Sequence, residues 1–197
     1  MKPQTFIFIG RSGSGKGTQA ALLAEYLKKK DPSRGVLPIQ TGQELRTFIQ
    51  GQTFTAKLMK DIYDRGDLAP EFVAVYQWVK ALVERYTGTE HIICDGMPRK
   101  LHEAGVLNSI FDFYSLGKPW VIEIEVSAEE ALKRLLARKR FDDREDEIRE
   151  RLSWYETDVA PTIDYYRTSP NCHFIGVSGE RPVDDIHADI VKKTGLA

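Results

Sequence analysis

The stretch Gly10-Arg11-Ser12-Gly13-Ser14-Gly15-Lys16-Gly17-Thr18 decides the fold of this chain. It follows an apolar run, residues 6–9, that is typical of a buried strand, and it leads into a helical pattern that continues to residue 26. Glycines let backbone N–H groups approach phosphate oxygens, and the following helix presents more N–H groups at its positive end. We therefore predict a nucleotide polyphosphate site in which Lys16 contacts the β- and γ-phosphates and Thr18 offers a hydroxyl. The residues of this loop expected to contact the donor nucleotide are Gly13, Ser14, Gly15, Lys16, Gly17 and Thr18.

The composition indicates an ordinary globular protein. The 197 residues are 42% hydrophobic and 29% charged, with a net charge of −1, so charge gives no reason to expect binding to nucleic acid or to a membrane. The apolar runs are too short for a transmembrane helix, and the first residues lack the long apolar stretch of a signal peptide. Cys94 and Cys172 show no metal-ligand spacing and are predicted to be buried and reduced. We expect a cytoplasmic monomer.

Strand patterns and helix patterns alternate along the chain. The predicted strands are residues 5–10, 36–40, 91–95, 120–126 and 172–177. The predicted helices are residues 18–30, 41–50, 53–65, 70–86, 101–116, 128–138 (behind a capping box that starts at Ser127), 143–167 with a break at Pro161, and 182–193. This order predicts an α/β protein: a three-layer, doubly wound fold of the P-loop NTPase type with a five-stranded parallel sheet, in a single domain over residues 1–197.

A second candidate segment, Asp95-Gly96-Met97-Pro98-Arg99, follows the predicted third strand. Ligands of open α/β sheets bind at the carboxyl ends of the strands, so Asp95 is expected near the glycine loop, where it can hold Mg²⁺ through water. Arg99 can grip a phosphate with two hydrogen bonds. The alternative is a sharp turn with an incidental salt bridge.

Two further groups of polar residues are candidates for binding phosphate. Thr41 is a candidate N-cap whose hydroxyl can also face a ligand, and Arg46 lies about one helical turn further on, in reach of a phosphate. A capped helix with a solvated arginine is the alternative. Arg138, Arg140 and Arg151 supply the cations that phosphoryl transfer between two anions needs, although a solvated charged helix would show a similar pattern. Arg134 shares a helix face with Arg138.

Taken together, these residues resemble the adenylate kinase family of nucleoside monophosphate kinases, from residue 6 nearly to the C-terminus. The segments that carry the resemblance are Gly15-Lys16-Gly17-Thr18-Gln19, Thr41-Gly-x-x-Leu45-Arg46, Gly66-x-Leu68-Ala69-Pro70, Asp95-Gly-x-Pro-Arg99, Arg138, Arg140-x-Asp142-Asp143 and Arg151. The resemblance implies that residues 41–70 form a helical excursion that binds the monophosphate, and that residues 138–143 form a reduced lid.

The resemblance also implies the reaction. ATP would transfer its γ-phosphoryl group reversibly to a nucleoside monophosphate, with AMP the first candidate (ATP + AMP = 2 ADP), and Mg²⁺ would bridge the donor phosphates with Asp95 in its outer shell. The donor phosphates would be held by Lys16, the loop amides and Arg138. The residues that would bind the acceptor are Thr41, Arg46, Leu68, Gly96 and Arg99. Charge on the moving group would be neutralised by Lys16, Arg99, Arg138, Arg140 and Arg151, the last two also contacting the acceptor.

The chain departs from the family pattern at three places. Ser12 stands where proline is common, and only Lys139 separates Arg138 from Arg140, where relatives have a longer lid. Glu103 occupies the position of a glutamine that reads adenine, and an ionised glutamate only accepts hydrogen bonds, which suits guanine or cytosine better. Either Glu103 reads the base, or Glu103 points to solvent and backbone groups near Leu68 and Ala69 read the base. Kinases for GMP, CMP or UMP, a P-loop kinase for a small metabolite, and a nucleotide-binding regulatory protein without efficient turnover stay open as alternatives.

Overall fold

The computed structural model describes residues 2–65, 67, 69–138 and 145–197. Its five strands are β1 (Thr5–Ile9), β2 (Val36–Gln40), β3 (His91–Asp95), β4 (Trp120–Glu125) and β5 (His173–Ser178). They form one sheet in the order β2-β3-β1-β4-β5, and every neighbouring pair is parallel. The predicted five-stranded parallel sheet is confirmed, with strand ends that agree to within one residue.

Helices connect the strands. In the described part of the chain the α-helices are α1 (Lys16–Lys30), α2 (Thr41–Phe48), α3 (Phe54–Asp64), α4 (Glu71–Arg85), α5 (Leu101–Phe113), α6 (Ala128–Arg138), α7 (Glu145–Trp154), α8 (Ala160–Thr168) and α9 (Val183–Lys193). A π-helical turn, Tyr155–Val159, joins α7 to α8. The prediction of a break at Pro161 needs correction. Because proline lacks an N–H and its ring collides with the carbonyl four residues earlier, the helix widens into this turn before Pro161 and then continues.

Both faces of the sheet are covered, as the apolar strands require. On β1, Phe6 and Phe8 point into a core shared with α1 and α9, while Ile7 and Ile9 point into a core shared with α4, α5 and α8. The three-layer prediction is therefore confirmed. Cys94 lies fully buried in the second of these cores as a free thiol, whereas Cys172 is only partly buried, which corrects the expectation for that residue.

The topology brings the ends of three strands together. Phe8 of β1 is in register with Asp95 of β3, and Asp95 is in register with Gln40 of β2. The loop after β1, the start of α2 and the Asp95 segment therefore meet at the carboxyl edge of the sheet, where the strand order reverses around β1. Helices α2 and α3 lie outside the sheet and share a small cluster with α4 that is formed by Leu45, Met59 and Val73. None of the helices in the described ranges is both long and apolar enough to cross a bilayer.

Candidate active site

The glycine loop after β1 adopts a backbone that requires glycine. Gly10, Gly13 and Gly15 have φ angles of 137°, 83° and 96°. A Cβ on Gly13 would lie 2.8 Å from the carbonyl oxygen of Ala131, so α6 packs directly on the loop. Helix α1 begins at Lys16, and in the described structure its N-terminus has neither a side-chain cap nor an acidic residue in its first turn. Its N–H groups and positive dipole end are therefore available to an anion.

Lys16 folds back over this loop. Its Nζ donates hydrogen bonds to the carbonyl oxygens of Gly10 and Arg11, each at 2.8 Å. The pKa of Lys16 is lowered to about 8, mainly by burial; Asp95 opposes the shift, and the cations Arg99 and Arg138 add to it. The ammonium is thus a preoriented cation in a desolvated place, and a bound polyphosphate would favour its charged form.

Asp95 explains why a glycine follows the lysine. A Cβ on Gly17 would lie 3.1 Å from Oδ2 of Asp95, so the carboxylate approaches the first turn of α1 closely. A carboxylate beside a phosphate-binding loop is a hard oxygen donor of the kind that Mg²⁺ prefers. The residues present therefore fit a magnesium ion shared with nucleotide phosphates.

Both backbone polar groups of Arg99 are hydrogen-bonded. The Arg99 N–H donates to Oε2 of Glu103 at 2.7 Å, and the Arg99 carbonyl accepts from Oγ1 of Thr162, a residue of α8, at 2.9 Å. The guanidinium Nε donates to the Gly96 carbonyl at 3.2 Å. Glu103 is only 4% exposed, and burial raises the pKa of its carboxyl although the bond from Arg99 opposes the shift. These hydrogen bonds fix the position of the Arg99 side chain beside the glycine loop.

One continuous cavity of about 860 Å³ runs past these groups. It extends from the glycine loop to α2 and α3, and α6, α7 and the π-helical turn form a further wall. The cavity brings together most of the residues predicted from the sequence: Gly13, Ser14, Gly15, Lys16, Gly17, Thr18, Arg46, Asp95, Gly96, Arg99, Arg138 and Arg151. At the α2 end, Nη2 of Arg46 donates to Oε1 of Gln43 at 3.0 Å.

Two predicted residues lie beside the cavity rather than on its wall. Thr41 is the first residue of α2, not its N-cap, because β2 passes directly into the helix with Gln40 at the capping position. Its side chain is 2% exposed, and Oγ1 has no hydrogen-bond partner among the described residues. Glu103 is also absent from the wall, because its carboxylate turns to the Arg99 N–H. The expectation that Glu103 reads the base is not supported by this geometry, and the alternative that it points to solvent is wrong.

Part of the predicted site lies outside the described residues. This applies to Leu68, to Arg140 and, except for Arg138, to the reduced lid over residues 138–143.

Sequence reasoning missed several wall residues. Arg134 lines the cavity while it donates to Glu130 at 2.7 Å and to the Gly179 carbonyl at 2.9 Å, and its shared helix face with Arg138 was a usable signal. Other residues of the wall had no distinguishing pattern in the sequence: Tyr63, Asp67, Trp154, Tyr155, Asp158 and Arg181.

The fold and the cavity define a P-loop phosphotransferase. The description "Adenylate kinase" belongs to the family model that matches residues 8–171. Among curated proteins, the chain is 32% identical over 189 residues to adenylate kinase 1 of Nostoc sp., covering 96% of this chain and 97% of that protein. It is 35% identical over 190 residues to adenylate kinase 1 of Synechocystis sp. (94% of each), and 34% identical over 182 residues to adenylate kinase of Corynebacterium diphtheriae (92% and 94%). The chain belongs to the adenylate kinase family.

Proposed function

We propose that this protein catalyses the reversible, magnesium-dependent transfer of a phosphoryl group from ATP to AMP, giving two molecules of ADP. The observation that carries the proposal is the single cavity that joins the Lys16 loop to the side lined by Arg46 and Arg99. This cavity offers two separate positively charged sites, one for a donor phosphate and one for an acceptor phosphate. The similarity of the chain to proteins named adenylate kinase supports AMP as the acceptor.

On the donor side, the loop amides from Gly13 to Thr18 and the ammonium of Lys16 would hold the β- and γ-phosphates. Lys16 would exchange its bonds to two loop carbonyls for bonds to phosphate oxygens, a small movement for a flexible side chain. Mg²⁺ would neutralise the donor phosphates when bound, with Asp95 accepting hydrogen bonds from its water ligands.

On the acceptor side, Arg46 and Arg99 would bind the AMP phosphate. The buried Thr41 hydroxyl, which has no hydrogen-bond partner in the part of the chain that the structure describes, adjoins the cavity-lining residues Gln40 and Gly42, which supports a ligand contact there. Backbone groups of Gly96 and of Leu68 would contact the monophosphate, the latter its base.

Between the two nucleotides, Arg138, Arg140 and Arg151 would surround the moving phosphoryl group. The transition state of phosphoryl transfer spreads its charge over the equatorial, attacking and leaving oxygens, so cations placed beforehand around them lower the barrier. Positioning of the two nucleotides supplies the rest.

The proposal is tested by a coupled assay with MgATP and AMP, GMP, CMP and UMP in turn. We expect AMP to give the highest kcat/KM. A higher value for another monophosphate would show a kinase of different base specificity. Turnover with shikimate or a sugar acid and with none of the four monophosphates would show a metabolite kinase. Binding of MgATP without turnover of any acceptor would show a regulatory nucleotide-binding protein.

We further propose that the protein works as a cytoplasmic monomer on free nucleotides. The near-zero net charge supports small-molecule substrates over nucleic acid or a membrane surface. Light scattering at micromolar concentration tests the monomer directly, and a mass of twice the chain would contradict it.

A further inference from the structure

Arg11 lies within the glycine loop but turns away from the nucleotide cavity. Its side chain is 14% exposed and lines a second hollow, of about 250 Å³, at the carboxyl ends of β4 and β5. It is not part of the wall of the main cavity, which its neighbours Gly10 and Ser12 do line. Arg11 is therefore not placed to contact the donor phosphates.

The Arg11 side chain instead contacts the π-helical turn. Its Cζ lies 3.8 Å from the centroid of the Tyr155 ring, and its Nη2 donates to Oε1 of Glu156 at 3.1 Å. Glu156 is 71% exposed, so this ion pair contributes little in water. The stacking on Tyr155 is the stronger contact, because the guanidinium is mostly shielded from water.

The backbone of the same residue supports the loop. The Arg11 carbonyl accepts hydrogen bonds from Nζ of Lys16 at 2.8 Å and from the Ser14 N–H at 3.1 Å. Arg11 thus connects the glycine loop, through its carbonyl, to the π-helical turn, through its side chain.

The π-helical turn that Arg11 contacts follows directly on the helix that carries Arg151, one of the cations of the cavity wall. Arg151 lies four residues before Tyr155, one helical turn back along α7, and both line the main cavity. A contact that holds Tyr155 against the glycine loop therefore constrains where Arg151 lies relative to that loop.

We propose that Arg11 is a positioning residue, which holds Arg151 at its working distance from the donor loop through the stacking contact with Tyr155. This inference rests on the proposed phosphoryl transfer. It explains a bulky cation at a loop position where only backbone is needed to bind phosphate.

The first test compares Arg11→Ala with the wild type. We expect kcat to fall about tenfold, the fold-change of one shielded cation–π contact. KM for ATP and AMP should change less than about twofold, because Arg11 touches neither ground-state phosphate. Arg11→Lys keeps a cation but loses the planar stack, so it should recover only part of kcat.

Two controls show whether a loss of kcat is specific. Arg149→Ala removes an exposed arginine of the same helix whose bond within the described residues is to Glu145, at 2.7 Å, and should leave kcat unchanged. Glu156→Gln should change kcat less than about twofold, because the exposed ion pair is weak. Circular dichroism melts of all variants exclude a general loss of fold.

A double-mutant cycle identifies the route of the effect. If Arg11 acts through Arg151, then Arg11→Ala in an Arg151→Ala background should lower kcat by less than about twofold. An additive, tenfold loss in that background would overturn the proposal. So would a wild-type kcat for Arg11→Ala.

Amide hydrogen exchange separates this inference from the proposed function. Removing the Arg11 side chain should speed exchange in residues 151–159 but not in α9, whether or not the protein turns over nucleotides. Unchanged exchange there would overturn the positioning role, whereas an inactive wild type with faster exchange in the variant would overturn only the phosphoryl transfer.

Discussion

Replacing Glu103 distinguishes a residue that reads the base from one that supports Arg99. In the structure, Glu103→Gln keeps an oxygen that can accept from the Arg99 N–H but loses the charge of that acceptor. A charge-assisted bond is worth roughly 1 kcal/mol more than a neutral one. Burial raises the pKa of the Glu103 carboxyl, so the folded protein holds that proton more tightly than the unfolded chain does, and the charge costs stability at neutral pH. The two effects oppose each other, and we expect the unfolding free energy to change by less than about 1 kcal/mol.

Glu103→Ala is expected to behave differently. It leaves the Arg99 N–H without its partner, which costs about 1–3 kcal/mol, and it also removes the volume of a side chain that is only 4% exposed. We expect a loss of about 2–4 kcal/mol in chemical denaturation. The acceptor KM should rise because Arg99 is less well held.

The assay is the kcat/KM of AMP, GMP, CMP and UMP for the wild type, Glu103→Gln and Glu103→Ala. Our account predicts one ranking of the four acceptors for all three proteins, with the alanine variant lower throughout. Glu84→Gln, at an exposed position of α4, serves as the control for a loss of one negative charge. A shift of preference toward AMP by about 1–3 kcal/mol in Glu103→Gln would refute the reasoning and return Glu103 to the base site.

Three further predictions follow from the loop. Lys16→Ala should lower kcat by at least ~10³-fold with an unchanged circular dichroism spectrum, and retention of most activity would mean that Lys16 does not act on the transferred group. The pKa of Lys16 near 8 predicts that the apparent Kd of MgATP, measured by calorimetry, rises about tenfold between pH 7 and 9. Raising the pH removes the proton that gives the Lys16 ammonium its positive charge, and the neutral amine binds phosphate less tightly. Lys16→Arg does not titrate and should show a flat profile, so a flat wild-type profile would contradict this origin. Gly13→Ala should cost about 2–5 kcal/mol in unfolding free energy, since its Cβ would meet Ala131 at 2.8 Å on a left-handed backbone. Gly15→Ala has the same backbone strain, but its nearest neighbour is 4.0 Å away, so it should cost only about 1–2 kcal/mol, and equal losses would exclude the contact with α6.

The sheet and the glycine loop were readable from the sequence because each depends on local chemistry. Short apolar runs, bounded by turn residues, fixed the five strands, and the spacing of glycines and Lys16 defined the loop. The widened helix before Pro161 was only partly predictable. Proline shows that the regular hydrogen bonding must be interrupted, but tertiary packing decides whether the chain stops, bends or widens.

The roles of single polar residues were less predictable. Glu103 lies one turn beyond Arg99 in sequence, and nothing in that spacing shows whether the carboxylate faces the cavity or the backbone N–H of Arg99. Arg11 is a similar case, since its partner Tyr155 lies 144 residues further along the chain. Contacts of this kind are set by the packing of helices on the sheet, for which a single sequence carries no local signal.

The most direct measurement of the central claim uses ADP as the only nucleotide. Purified protein is mixed with MgADP, and the products are separated by anion-exchange chromatography. An enzyme that joins ATP and AMP in one cavity must run in reverse, so we predict equal amounts of ATP and AMP, formed at a rate that Lys16→Ala lowers by at least ~10³-fold. A protein that leaves ADP unchanged, while it remains folded and binds MgATP, would contradict the claim.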